Sequence, residues 1–169
     1  YIWDLIFNIS NILKNDLNGN DEFLAYSSCN PTFDDARNED TYNFHSSAII
    51  NNKSNIFIRG DAIVEAGVIL DACDGPIVID QSSKIDIGAL IKGPVYIGQK
   101  SIINPGAKLR GNISIGPVCK IGGELEDVVI QGYTNKQHDG YLGHSFLGEW
   151  VNLGANTNNS DLKNNYSNI

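Results

Sequence analysis

The residues best suited to chemistry crowd into one stretch near the end of the chain: Lys136, His138, Tyr141 and Asn152, followed by Asp161 and Lys163. A neutral imidazole, as His138 can supply, accepts a proton from an ammonium group. Tyr141 and Asn152 offer neutral hydrogen bonds suited to hydroxyl or phosphate oxygens. Lys136 and Lys163, with Arg110 earlier in the chain, are the cations available to a small phosphorylated molecule. His138 and His144 lie six residues apart, which raises a zinc site, but with three histidines in all no further ligand pattern supports it. Trp150 reads as packing or a subunit interface. Glu149 and Asp139 read as solvated turn residues, with the alternative that Asp139 orients His138.

The element that must position these groups is a repeat. Every sixth residue from 79 is aliphatic: Ile79, Ile85, Ile91, Ile97, Ile103, Leu109, Ile115 and Ile121. Neither a 3.6-residue helix nor a two-residue strand alternation produces that spacing. Small residues recur four positions later, at Ser83, Ala89, Ser101 and Ala107, and Gly98, Gly116 and Gly122 follow three of the aliphatic ones directly. The pattern predicts an all-β parallel solenoid in which three hexads close one triangular coil and the aliphatic residue points inward. A single coil cannot bury its apolar side, so stability comes from the stack. The glycines are expected to supply permissive backbone angles at turns.

The phase extends backwards through Ile58, Val64 and Leu70, with a protruding turn expected at Cys73-Asp74-Gly75-Pro76. Forwards it breaks over Asp127–Gly140, read as an insertion ending at His138, and resumes at Tyr141, Leu147 and Leu153. Insertions in a solenoid commonly fall on one face and carry its site. On this register Tyr141 points inward.

Residues 1–20 differ. Ile2, Leu5, Ile6, Ile9, Ile12, Leu13 and Leu17 share one helical face, and Asn18-Gly19-Asn20 is a stop signal. The expected organisation is a helical linker and connector over 1–47 and a β-helix domain over 48–169. The chain begins at Tyr1, contains no methionine and ends in a polar run, so it reads as a piece of a longer polypeptide with the β-helix incomplete at its C-terminal end.

The 169 residues are 41% hydrophobic and 19% charged, with a net charge of −8 and no basic stripe, which argues against a nucleic-acid partner. No apolar run approaches the ~20 residues of a membrane span. Cys29, Cys73 and Cys119 are odd in number and far apart, and read as reduced, buried thiols of a cytoplasmic protein.

The block from Asn135 onward resembles the acetyltransferase half of the bifunctional N-acetylglucosamine-1-phosphate uridylyltransferase/glucosamine-1-phosphate acetyltransferase family. The residues that carry the likeness are His138, Tyr141-Leu142-Gly143 and Val151-Asn152-Leu153-Gly154-Ala155-Asn156-Thr157. A variant branch of that family is closer still, through Asn135-Lys136, Gly148-Glu149-Trp150 and Ser160-Asp161-Leu162-Lys163-Asn164-Asn165-Tyr166. Tyr1-Ile2-Trp3-Asp4-Leu5 looks like the linker that follows the branch's nucleotidyltransferase domain.

The resemblance implies a left-handed coil, against the usual right-handed crossover, and a homotrimer with its site between β-helices. It implies acetyl transfer from acetyl-CoA to the amine of an amino-sugar-1-phosphate. His138 would be the base, and the Ala155 N–H would stabilise the oxyanion. Tyr141, Asn152, Lys136, Arg110, Asp161 and Lys163 would lie on the sugar phosphate, and Ala155 and Thr157 beside CoA. Mg²⁺ would serve only a nucleotidyltransferase domain outside this sequence. Two departures stand out: Asn104 occupies the place of an arginine before Pro105-Gly106-Ala107, and Asp161 stands where relatives carry an amide. The competing expectation is a β-helix that only oligomerises a separate nucleotidyltransferase domain, or is purely structural.

Overall fold

The computed structural model describes residues 2–19 and 43–159. A helix, α1 (Ile2–Gly19), precedes sixteen short strands, all paired in parallel and wound into about six coils. The first rung begins at Asn43, inside the segment expected to be connector.

Each coil contributes one strand to each of three faces. The first face stacks β1 (Asn43–Phe44), β4 (Ile63–Val64), β7 (Lys84–Ile85), β10 (Ile102–Ile103), β13 (Lys120–Ile121) and β15 (Asn135–Lys136). The second stacks β2 (Ile49–Asn51), β5 (Ile69–Asp71), β8 (Leu90–Lys92) and β11 (Lys108–Leu109). The third stacks β3 (Ile56–Ile58), β6 (Ile77–Ile79), β9 (Val95–Ile97) and β12 (Ile113–Ile115). In the last two coils β14 (Glu124–Gly132) and β16 (Tyr141–Glu149) run across the corner and serve both the second and third faces.

The aliphatic column is the core. Ile79, Ile85, Ile91, Ile97, Ile103, Leu109, Ile115 and Ile121 are all fully buried. Each contributes about 1.5–3 kcal/mol relative to an exposed side chain. Ile85 pairs with Ile103 and Ile103 with Ile121, so the regular coil is three hexads long, as the repeat requires. The small residues sit beneath corners. Ser83 and Ser101 donate from Oγ to the carbonyls of Gly98 and Gly116, each at 2.9 Å, and so satisfy hydroxyls inside the stack. Cys119 takes the next such place and is buried. Cys73 instead is exposed on the protruding turn, which corrects the expectation of buried thiols, and Cys29 lies outside the described residues.

Gly98 and Gly116 have a different role from the one expected. Neither has a positive φ; a Cβ on Gly98 would lie 2.6 Å from the Gly116 carbonyl carbon, and one on Gly116 would collide with the Gln131 carbonyl. Close stacking of backbones, rather than turn conformation, excludes a side chain there.

The break after Ile121 is a contraction, not an insertion. Ile121 pairs with Lys136, fifteen residues on, and Asn135 with Asn152, seventeen on, against eighteen in the regular coils. Two residues are lost where the first face turns into the second: Gly122-Gly123 alone link β13 to β14. One more is lost at the next corner, which Asp127 (φ 54) and His144 (φ 43) turn singly. The inward register therefore passes through Leu125, Ile130, Lys136, Leu142, Leu147 and Leu153. Tyr141, opposite Glu124, points outward, which corrects the expectation that it lies in the core.

The helix is docked rather than free. Ile6, Ile9 and Leu13 are 4–6% exposed, and α1 contacts β12, β14 and β16 on the third face. No described helix is long and apolar enough to cross a membrane.

Candidate functional site

The contraction shapes the surface beside His138. In regular coils the corner between first and second faces holds three residues before the next small one, as in Asn104-Pro105-Gly106. The corner one coil later has only Gly122-Gly123, and the following one regains full length in Gln137-His138-Asp139-Gly140. The missing residues leave a notch of about 380 Å³, floored by Gly123 and rimmed by Gly106, Lys108, Glu124, Asp139, Tyr141 and Asn158. The corners on either side meet across it: Asn104 Nδ2 donates to the Gln137 carbonyl at 2.9 Å.

His138 is exposed on the notch's lower corner, with Gln137 Nε2 at 3.4 Å from its Nε2. The pairing of Asn135 with Asn152 sets the next coil seventeen residues on, and by that count Ala155 falls one coil beyond His138 and Asn156 one coil beyond Asp139. Asn156 N–H donates to the Asp139 carbonyl at 3.0 Å. Thr157 donates from Oγ1 to the Gly154 carbonyl at 2.9 Å, closing a tight turn around the exposed Ala155. His138, Ala155 and Thr157, expected to act together, are thus brought to one corner.

Tyr141 and Asn152 lie on either side of it. The Tyr141 hydroxyl is 3.5 Å from Glu126 Oε2, and its backbone N–H donates to Asn158 Oδ1 at 2.6 Å. Asn152 is exposed and accepts from Asn135 Nδ2 at 2.9 Å.

The cations are arranged differently from expectation. Arg110 is on the outer side of the second face, paired with Glu124 at 2.8 Å and Glu126 at 3.6 Å. These carboxylates raise its pKa further, the hydrogen bond to Glu124 most. Lys136, expected on a phosphate, is the inward residue of its rung and 2% exposed, with Nζ donating to the His138 carbonyl at 2.7 Å. Burial lowers its pKa, and the Asp139 carboxylate opposes that shift. Asp161 and Lys163 lie outside the described residues.

His144 occupies a different corner, where Nε2 lies 3.1 Å from Asp127 Oδ2, so it does not share a site with His138. Among the described residues no group of three His, Cys, Asp or Glu is placed to hold a metal. Trp150 is stacked on Tyr133, with ring centroids 4.8 Å apart and planes 8° from parallel.

Residue-type reasoning passed over Lys108, Glu124, Glu126 and Asn158, which line or border the notch. The signal for them was the doublet Gly122-Gly123, where the hexad count falls short. No protein-family model matches the chain, and no curated protein sequence does.

Proposed function

We propose that the chain is a left-handed β-helix acetyltransferase module of a nucleotide-sugar enzyme, moving acetyl from acetyl-CoA to the amine of an amino-sugar-1-phosphate such as glucosamine-1-phosphate. The observation that supports this most is the register that sets the exposed Ala155 one coil beyond the exposed His138, at a corner whose Asp139 and Gly140 line an open notch. The His138 imidazole takes a proton from the sugar ammonium, and the freed amine attacks the thioester carbonyl. The Ala155 N–H receives the oxyanion, and when the tetrahedral intermediate collapses CoA leaves as the thiolate and takes up the second proton lost from the nitrogen, giving the amide and free CoA thiol. Tyr141 and Asn152 hold sugar oxygens, and Thr157 lies beside CoA.

Phosphate recognition falls to Lys108 at the notch rim, to Arg110 once released from its carboxylates, and to Lys163 in the following segment, with Asp161 accepting from a sugar hydroxyl. A homotrimer, with the site completed by a neighbouring β-helix, adds ligands that one chain lacks. Sedimentation equilibrium at three times the chain mass supports that assembly, and a monomeric mass contradicts it. A cytoplasmic setting goes with the co-substrate.

Thiol release from acetyl-CoA in the presence of glucosamine-1-phosphate is the test. His138→Ala is expected to slow it about 100- to 10,000-fold. Undiminished release in the variant removes His138 as the base, and no release from the unaltered protein rejects acetyl transfer.

One observation favours a second reading. Arg110 is held by carboxylates and Lys136 is buried, which leaves the described site short of free cations. In that reading the solenoid only oligomerises a nucleotidyltransferase domain. It would then leave acetyl-CoA intact, while a longer polypeptide containing it transfers nucleotides with Mg²⁺.

A further inference from the structure

Lys136 has no part in the reaction as written, yet it occupies the least expected place in the fold. Its rung position is the one filled by Val64, Ile85, Ile103 and Ile121 in the coils before it. All four are essentially fully buried, and Lys136 is 2% exposed. A methionine or isoleucine there would continue the column without an amine to desolvate. Burying a lysine ammonium with one hydrogen bond is costly, because its other donors lose water. A residue that opposes the packing around it is a candidate for function.

We infer that Lys136 is a positioning residue, whose buried amine turns the His138 carbonyl inward and so fixes the corner that carries the imidazole. The inference rests on the acetyl-transfer reading only for its kinetic consequences. Regular corners show what the lysine changes. There, the carbonyl of the middle residue accepts the N–H of the third residue one coil later: Ala66 from Gly88, and Ile87 from Gly106, each at 3.0 Å. By register His138 is the middle residue, and its partner would be Asn156 N–H. Lys136 Nζ takes that carbonyl instead, and Asn156 bonds one residue later, to Asp139.

The neighbouring Gln137 carbonyl is held from the other side by Asn104. Two successive carbonyls of the His138 corner are therefore clamped by side chains, one from within the solenoid and one from across the notch. Gly123 belongs to the same device. A Cβ there would stand 2.9 Å from Lys136 Nζ, so the glycine corner leaves the room that the amine occupies.

The test uses the full chain. Lys136→Met keeps the volume and removes the donor, and is expected to remain folded by circular dichroism. Its kcat should fall about 10- to 100-fold with KM for both substrates nearly unchanged, as for a misplaced but intact catalytic group. In the smaller Lys136→Ala, added ethylamine should restore part of kcat, whereas ethanol should not.

A structural readout separates this inference from the reaction. In histidine-labelled protein, Lys136→Met should shift the His138 ring resonances while leaving those of His45 and His144 in place. If the unaltered protein releases no thiol, the acetyl-transfer reading fails, and the His138 resonances still decide the role of Lys136. Unmoved His138 resonances overturn the inference, as does a kcat within two-fold of the unaltered enzyme. Should Lys136→Met not fold, the unaltered protein serves. A slowly exchanging Lys136 side-chain N–H signal with a nuclear Overhauser contact to His138 is expected, and its absence overturns the inference.

Discussion

The coils around Ile85–Ile115 and those from Ile121 to Asn152 share one backbone plan but solve different problems. The first region keeps eighteen residues per coil, and its inward column is aliphatic and fully buried. The second gives up three residues in one coil and one in the next, admits a lysine to the column, and shortens one corner to a single residue, Asp127 and then His144. Those departures are unfavourable locally. They also open the notch and bring His138 and Ala155 together at its edge. The regular region supplies the rigidity against which the contracted one holds its corner in place.

This contrast is sharpened first by core truncation. Ile103→Ala should cost about 2–5 kcal/mol, because the neighbouring rungs cannot close the cavity. Leu153→Ala, at a partly exposed rung, should cost about 1 kcal/mol. Urea denaturation of both variants measures the difference, and equal losses would mean the two regions are packed alike.

Glycine replacement separates the corners next. Gly88 and Gly123 have φ values of +68° and +76°, but a Cβ on Gly88 meets open space, whereas one on Gly123 meets Gly140 O at 2.6 Å and Lys136 Nζ at 2.9 Å. Gly88→Ala should lose about 1 kcal/mol, the conformational term alone. Gly123→Ala should lose about 2–4 kcal/mol once overpacking is added. Thermal melts compare the two, and a Gly123 variant as stable as the Gly88 variant would remove the tight corner from the account.

The buried amine gives a pH signature. Its pKa is lowered in the folded protein, while the unfolded lysine keeps its proton to about 10.5, so unfolding takes up protons and stability rises with pH. The penalty is present in full below the folded pKa and is removed as pH climbs towards 10.5. Urea midpoints of the unaltered protein should therefore gain on those of Lys136→Met between neutral pH and that value. Parallel curves would mean the amine is not buried.

The smallest effect is expected at Arg110. Its side chain is 52% exposed, so Arg110→Ala should leave the urea midpoint nearly unchanged despite two carboxylate partners. A larger loss in the same urea titration would make the outer second face structural.

Sequence spacing revealed the regular region because burial selects one residue type at one period. Ile79 to Ile121 could be counted without any structure, and so could the apolar stripe Ile6, Ile9 and Leu13. The surface that stripe covers could not, since the outward residues of the third face have no matching period. The contracted region was legible by motif and illegible by period. A six-residue count back from Leu153 and Leu147 reaches Tyr141 in place of Leu142, because the single-residue corner at His144 leaves Leu142 five residues before Leu147, and the loss of two residues at Gly122-Gly123 hid Lys136. A lysine in an aliphatic register carries no sequence signal of burial; only the paired strand, Ile121 opposite Lys136, reveals it. Glu124 and Asn158 were missed for the same reason, as outward residues become site residues only once the notch exists.

The claim that this corner serves acetyl transfer is tested most directly by soaking crystals with acetyl-CoA. The account predicts an ordered CoA at the corner that carries Ala155, its thioester carbonyl within hydrogen-bond reach of the Ala155 N–H and facing His138. An empty site at saturating ligand, or CoA bound away from that corner, would contradict it.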